Sequence, residues 1–238
     1  MKLHMLAFGA HPDDVELSCS GTILSFTTQG KTAGIIDLTR GEMGSRGTVA
    51  IRADEADAAK TILGCSIREN LGLADGLFEH NTASLMLVIQ AIRKYQPDYI
   101  FCNAPEDRHP DHGKGSKLVE EAAFLSGLVK ITTEVDGVNQ QVWRPKMVLK
   151  YIQDRWLTPD FVVDITPYWE KRMESIKAHK SQFFDPNSNE PQTYIASKNF
   201  FYGIEARARE MGRSAQFQYG EGFITSRIPG VKNITELY

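Results

Sequence analysis

The stretch LHMLAFGAHPDD, Leu3 to Asp14, decides how the chain is read. Leu3 to Gly9 is largely apolar and ends on glycine, the pattern of a short strand buried on both faces. The chemistry then changes at once, to an imidazole (His11), a proline (Pro12) and two carboxylates (Asp13, Asp14). From Val15 onward, Leu17, Ile23, Leu24 and Phe26 can share one helical face, and Gly30 supplies a C-terminal stop. A buried strand, a polar turn and a helix form the opening unit of a parallel α/β sheet.

The same unit recurs outward from there. Thr32 to Thr39 reads as a second strand running into a glycine-rich loop, residues 40–50, that carries Arg40, Glu42 and Arg46. Ile51 to Gly64 has the spacing of an amphipathic helix, and a third strand lies near Ser66 to Leu71. Leu85, Val88, Ile89 and Ile92 form the stripe of a helix packed on a sheet, ended by Pro97. Asp98 to Asn103 is a fourth strand, and it delivers a second polar motif, Arg108-His109-Pro110-Asp111-His112. These units predict a Rossmann-like α/β fold: a three-layer αβα sandwich around a mostly parallel sheet, core strand order 3-2-1-4-5, as a single domain over residues 1–238. In that order the first and fourth strands are neighbours where the winding reverses, so residues 11–14 and 109–112 meet outside their carboxyl ends.

The second half is read more coarsely. A helix is expected from Gly113 to Val129, strands at Met147 to Tyr151 and Asp160 to Ile165, and helices over Tyr168 to Phe183 and Ala196 to Met211. The last of these is stopped by Gly212, and the tail from Ala215 reads as glycine-punctuated and irregular. Trp143, Trp156 and Trp169 are assigned to the core rather than to sugar stacking. His4, His80 and His179 read as surface or satisfied core residues.

Composition narrows the function classes. A net charge of −3 offers no basic face for nucleic acid. No apolar run reaches the roughly 18 residues of a membrane span, and no basic-then-apolar leader opens the chain. Cys19, Cys65 and Cys102 are odd in number and widely spaced, hence read as small buried hydrophobes. A reducing cytoplasm is the expected setting.

The two polar motifs together suggest one zinc site. Zn²⁺ accepts nitrogen and oxygen donors, and a catalytic site uses three protein ligands while leaving the fourth position to water. His11 and Asp14, three apart, can face one ion from a single turn, and the prolines favour extended backbone just before them. A histidine of the second motif supplies the third ligand; spacing alone leaves His109 and His112 both open. Asp13 is then the carboxylate left beside the metal, suited to act as general base on its water. Arg52 sits in a first helical turn, where the helix dipole disfavours a cation. It therefore either faces an anion or substrate, or pairs with Asp54 or Glu55.

Gly-Ala-His-Pro-Asp-Asp at a strand end, followed about a hundred residues later by His-Pro-Asp-His, resembles the PIG-L/LmbE family of zinc-dependent N-deacetylases acting on N-acetylglucosamine derivatives. The stretch Thr39 to Gly44, His179 to Gln182 and the segments Glu205–Arg209 and Gly220–Phe223 resemble its bacillithiol-biosynthesis branch, which deacetylates N-acetylglucosaminyl-malate. The resemblance implies one Zn²⁺ per chain held by His11, Asp14 and His112, with Asp13 as base. It also implies that His109 stabilises the oxyanion when protonated and that Asp111 accepts its other ring proton. A homo-oligomer is implied as well. A sugar bearing a dicarboxylate would call for arginines, so Arg52 and Arg108 are the substrate-binding candidates, with Tyr194 beside them. Arg207, Arg209 and Arg213 are read as a solvated helix face.

Two rivals are a dinucleotide-binding dehydrogenase and a non-catalytic sugar- or metal-binding module. The first fits poorly, because the first turn lacks Gly-x-Gly-x-x-Gly and puts Asp13 and Asp14 where a pyrophosphate would need backbone donors.

Overall fold

The structure is a computed structural model that describes residues 1–236. Four β-α units come first: β1 (Met5–Gly9) and α1 (Asp14–Thr27), β2 (Ala33–Thr39) and α2 (Val49–Leu63), β3 (Ile67–Leu73) and α3 (Thr82–Tyr95), β4 (Tyr99–Cys102) and α4 (Pro110–Leu125). A small hairpin of β5 (Glu134–Val135) and β6 (Val138–Asn139) follows. The chain continues through β7 (Met147–Tyr151), β8 (Phe161–Asp164), α5 (Trp169–Lys177), α6 (Lys198–Ser214) and β9 (Gly220–Thr225).

The main sheet has the order β3-β2-β1-β4-β7-β9-β8. β1 lies parallel between β2 and β4, as the 3-2-1-4 reading requires, and β9 alone runs against its neighbours. Alternation along the strands builds the layers. Leu6, Phe8, Ile36, Leu38 and Ile100 face α3 and α4, whereas Met5, Ala7, Ile35 and Phe101 face α1. A third apolar cluster joins α5 and α6 through Trp169, Ile176, Ile204 and Tyr219. The three cysteines are buried and unpaired.

The structure departs from the sequence reading where backbone is glycine-rich. The tail is not irregular throughout: β9 inserts between β7 and β8. Its glycines depress strand propensity, but here they permit close approach. A Cβ on Gly220 would lie 2.5 Å from Val162 Cγ1, and one on Gly222 2.8 Å from Met211 Sδ. For the same reason Gly212 does not end α6, which runs to Ser214 with Gly212 tight against Phe217 O. α5 stops at Lys177, short of Phe183, and α4 starts at Pro110, with proline in its favoured first-turn place. Of the tryptophans, Trp169 is core but Trp156 is exposed. His179 is fully buried yet neither ring nitrogen has a hydrogen-bond partner; Glu16 Oε2 stands 3.4 Å away.

One buried carboxylate ties the late strand to the first helix. α1 is broken at Cys19 (φ −143°, ψ 16°), which frees the amides of the next turn. Glu221 of β9 accepts from Gly21 N (2.9 Å), Thr22 N (2.7 Å) and Thr22 Oγ1 (2.7 Å), and is neutralised by Arg172 Nε at 3.0 Å. Glu221→Ala would leave the Arg172 charge buried without its counter-ion, held through Nη2 on Leu17 O, and would take the acceptor from two buried amides. It is expected to destabilise the fold by about 3–5 kcal/mol, measured by urea unfolding, with a smaller loss for Glu221→Gln.

Candidate active site

β1 and β4 run in register, Met5 opposite Tyr99 and Ala7 opposite Phe101, so the loops leaving their carboxyl ends emerge side by side. The first loop supplies His11, Asp13 and Asp14. The second supplies His109, Asp111 and His112. Asn103, just past β4, locks them together: its Oδ1 accepts from Ala10 N (2.9 Å) and its Nδ2 donates to Asp14 Oδ2 (3.0 Å).

Asp14 is buried at the start of α1 and accepts from His11 N (2.9 Å) and Gln153 Nε2 (2.6 Å) as well. Its oxygens also lie 3.5 Å from His11 Nδ1 and 3.2 Å from His112 Nε2. Burial would raise its pKa, but His112 and His11 more than reverse this and hold the carboxyl well below its usual range. On the far side of His112, Nδ1 lies 2.6 Å from Asp107 Oδ2, and Asp107 is itself fixed by Arg155 N at 2.8 Å. Burial disfavours charge on His112, yet Asp14 and Asp107 prevail and push it up to about 9. A carboxylate behind a buried imidazole sets its tautomer and aims the other nitrogen into the site.

His109 is the N-cap of α4: its Nδ1 accepts from Asp111 N at 3.3 Å. This corrects the expected His109–Asp111 pairing. The Asp111 carboxylate turns instead to Gly76 N (2.7 Å), Lys114 Nζ (2.6 Å) and His11 Nε2 (3.5 Å), because the second residue of a helix projects from nearly the opposite side of the axis to the cap. The His109 ring sits edge-on to His11, with centroids 4.6 Å apart. Burial, together with the neighbouring His11 and His112, lowers its pKa below the ordinary imidazole value.

Two carboxylates escaped the sequence reading, as did the Asp14 partners Asn103 and Gln153. Asp75 Oδ1 lies 3.0 Å from His11 Nε2, and Asp107 braces His112. Asp75 follows β3, and loops past strand carboxyl ends are where such residues gather, so position offered a signal that residue type did not.

Asp13 is buried, with φ 157° and ψ −20°, a combination rarely adopted by residues with a side chain. Arg52 neither reaches solvent nor pairs with Asp54 or Glu55. It is buried, with Nη2 3.4 Å from Asp13 Oδ2 and Nη1 donating to Gly41 O at 3.0 Å. Burial raises the Asp13 pKa, Arg52 opposes the rise, and Asp14 adds to it; the net direction is upward. Arg108 lies at the rim, its guanidinium 4.6 Å over the Tyr194 ring and 3.2 Å from Asp154. Tyr194 Oη donates to Asp154 Oδ1 (3.2 Å), and Arg207 Nη2 donates to Asp154 O (2.6 Å). Arg207 therefore belongs to the rim, while Arg209 and Arg213 pair along α6 with Glu205 and Glu210.

A cleft of about 190 Å³ opens over this cluster, bounded by His11, Asp13, His109, His112, Arg52 and Arg108 among others. Donor atoms of His11, His109 and His112 lie within 4.8 Å of one another, as do those of His11, Asp75 and Asp111. Asp14 touches both His11 and His112. Imidazoles facing carboxylates at these distances suit a divalent cation with nitrogen and oxygen preferences.

Residues 6–123 match the PIG-L family model, described as GlcNAc-PI de-N-acetylase. The chain belongs to the PIG-L family. Among solved structures, the conserved protein TT1542 of Thermus thermophilus is 31% identical, with a TM-score of 0.87 and 98% of each chain covered. The diacetylchitobiose deacetylase of Thermococcus kodakarensis is 24% identical over 209 residues, 84% of this chain and 77% of that protein. A probable N-acetyl-α-D-glucosaminyl L-malate deacetylase 2 of Bacillus anthracis is 28% identical over 193 residues, 76% of this chain and 81% of that one. Both His-Pro-Asp motifs of this chain fall within the single PIG-L match.

With His112 as a ligand, a divalent ion entering this PIG-L site would displace a proton from its ring. Its affinity is therefore expected to rise with pH from neutrality upward, about tenfold per unit for each proton displaced, because the pKa values of both His112 and His11 are raised. Competition between the apo protein and a fluorescent zinc chelator across neutral and alkaline pH measures this.

Proposed function

We propose that the chain is a zinc-dependent N-deacetylase of N-acetylglucosamine conjugates, and that its reaction is N-acetylglucosaminyl-malate to glucosaminyl-malate plus acetate, a step of bacillithiol biosynthesis. The observation that carries this reading is Asp13. It is a carboxylate with an upward-shifted pKa, held by Arg52 in the wall of a cleft whose floor is a cation-suited cluster. The family and the sugar-deacetylating relatives support the same chemistry.

One Zn²⁺ per chain would be held by His11, Asp14 and His112. Bound there, it supplies Lewis-acid polarisation of the acetamide carbonyl and acidifies water. The chain's own residues do the rest. Asp13 takes the proton of the attacking water and returns it to the departing amine, a role that its raised pKa suits. Since His109 Nδ1 accepts from backbone, its proton resides on Nε2, which leaves a neutral N–H to stabilise the developing oxyanion. Asp111 serves as a brace, joining Gly76 and Lys114 to His11. Arg52 orients Asp13, and Arg108 with Tyr194 forms the rim that meets the acidic part of the substrate. The setting expected is a cytoplasmic homo-oligomer that binds neither nucleic acid nor membrane. Among the described residues no helix is long and apolar enough to cross a bilayer.

Chelation should abolish acetate release with the fold retained by circular dichroism. Asp13→Asn should keep zinc and lose turnover by at least about a hundredfold, whereas His112→Ala should lose zinc on dialysis; an Asp13→Asn protein as fast as the parent removes Asp13 from the mechanism.

Acetate release from N-acetylglucosaminyl-malate, free N-acetylglucosamine, its inositol conjugate and chito-oligosaccharides identifies the substrate. Preference for the malate conjugate, with a raised KM for that conjugate alone in Arg108→Ala, is the expected result. Equal rates would leave a generic deacetylase.

A further inference from the structure

Arg46 lies in the glycine-rich loop after β2, yet it is only 2% exposed. Its guanidinium is spent on one distant segment: Nε donates to Ser181 O (2.6 Å), Nη1 to Pro191 O (2.8 Å) and Glu190 O (3.3 Å), and Nη2 to Ser188 Oγ (3.1 Å). The segment answers, since Gln182 Nε2 donates back to Arg46 O at 2.8 Å. Next to it, Gly47 has φ +67°, and a Cβ there would fall 2.6 Å from Ser181 Oγ, so the two stretches of chain touch where only glycine fits. Ser181 is held from a third side by Glu55 of α2, at 2.6 Å from its N and 2.7 Å from its Oγ.

Each side of this junction carries pocket wall. Met43 and Gly44 line the cleft from the glycine-rich loop; Gln182 and Ile195 line it from the other segment, and Tyr194 of that segment stacks under Arg108 at the rim. Neither loop has regular structure to hold its shape. A planar guanidinium that satisfies four acceptors from four residues fixes the relative placement of both.

We propose that Arg46 is a positioning residue that clasps the 181–195 segment onto the glycine-rich loop and thereby completes the wall that grips the substrate beyond its acetamide. The substrate part of this inference rests on the deacetylase reading; the clasp itself does not. Arg46 touches none of the groups assigned to the chemistry, so its loss acts through binding rather than through proton transfer.

The test is Arg46→Ala and Arg46→Lys, read by steady-state kinetics on an N-acetylglucosaminyl conjugate and by limited proteolysis of the zinc-loaded protein. Arg46→Ala is expected to raise KM about tenfold with kcat within about threefold of the parent, and to open new cleavage within residues 183–193. Arg46→Lys keeps the charge but not the fork, so it should resemble the alanine variant rather than the parent. If Arg46→Ala fails to fold, Glu55→Ala, which releases Ser181 from the opposite side, should give the same KM rise and cleavage. Parental KM with a parental cleavage pattern, or a fall in kcat at unchanged KM, overturns the proposal. Should the parent release no acetate from any conjugate, the deacetylase reading fails, and the clasp stands or falls on the cleavage pattern alone.

Discussion

The structure turns on keeping the Asp14 carboxylate charged while it is buried. A desolvated carboxylate is tolerated only when surrounded by donors and opposite charge. Its donors come from separate parts of the chain: His11 N from its own turn, Asn103 from the end of β4, Gln153 from just beyond β7, and His112 from the first turn of α4. To satisfy that one group, β1, β4 and β7 must lie adjacent with their carboxyl ends level, which is the order observed. The sheet topology and the site are thus a single requirement expressed twice. The same convergence brings His109, Asp111 and Asp75 within reach of His11.

Charge is handled differently behind the site. Arg68 joins Glu16 (2.5 Å) and Asp37 (2.8 Å) in a buried network under α1, and against the cost of burial Arg68 and His179 hold the Glu16 carboxyl at about 2. Asp13 is the exception in this neighbourhood. It has one arginine, at a long 3.4 Å, and no other side-chain donor among the hydrogen bonds that hold it. A carboxylate under-solvated in this way is a better base than Asp14 or Glu16, whose pKa values are lowered. The difference between Asp13 and Asp14, adjacent in sequence, is therefore one of environment: one is saturated with donors and the other is left short of them.

The β-α units of the first half were legible because each is an uninterrupted apolar run followed by turn chemistry and a helical stripe, and local patterns of that kind survive folding. The meeting of the two His-Pro-Asp motifs was legible for the same reason, as a consequence of strand order. What escaped was non-local. β9 carries the glycines of an irregular tail, and only the Val162 and Met211 side chains packed against them explain why glycine belongs in that strand. Asp75 and Asp107 sit in segments with no distinctive residue pattern; their importance lies in what stands 3.0 Å and 2.6 Å away. Arg52 was singled out from an unfavourable first-turn position, and the structure supplies the reason for it: a cation is tolerated there because Asp13, Pro12 O and Gly41 O receive it. The choice between His109 and His112 could not be made from spacing; donor atoms of both rings lie within 4.8 Å of His11, and His112 differs in having the Asp107 carboxylate behind it.

These contrasts divide the cleft into two regimes. Its floor is built from strand ends and first helical turns, where backbone geometry is fixed by the sheet and each side chain has several partners. Its rim is built from loops, the 40–48 and 181–195 segments and the Arg108–Tyr194–Asp154 group, held by side chains reaching across from elsewhere. A floor of that kind can keep one chemistry constant while a loop-built rim varies what is admitted to it. Under the proposed function, selection of the conjugated group falls to the rim. There, a stacked Arg108 shares Asp154 with Arg207, so two arginine charges face one carboxylate, which on the proposed reading would favour an anionic group at the mouth over a neutral one.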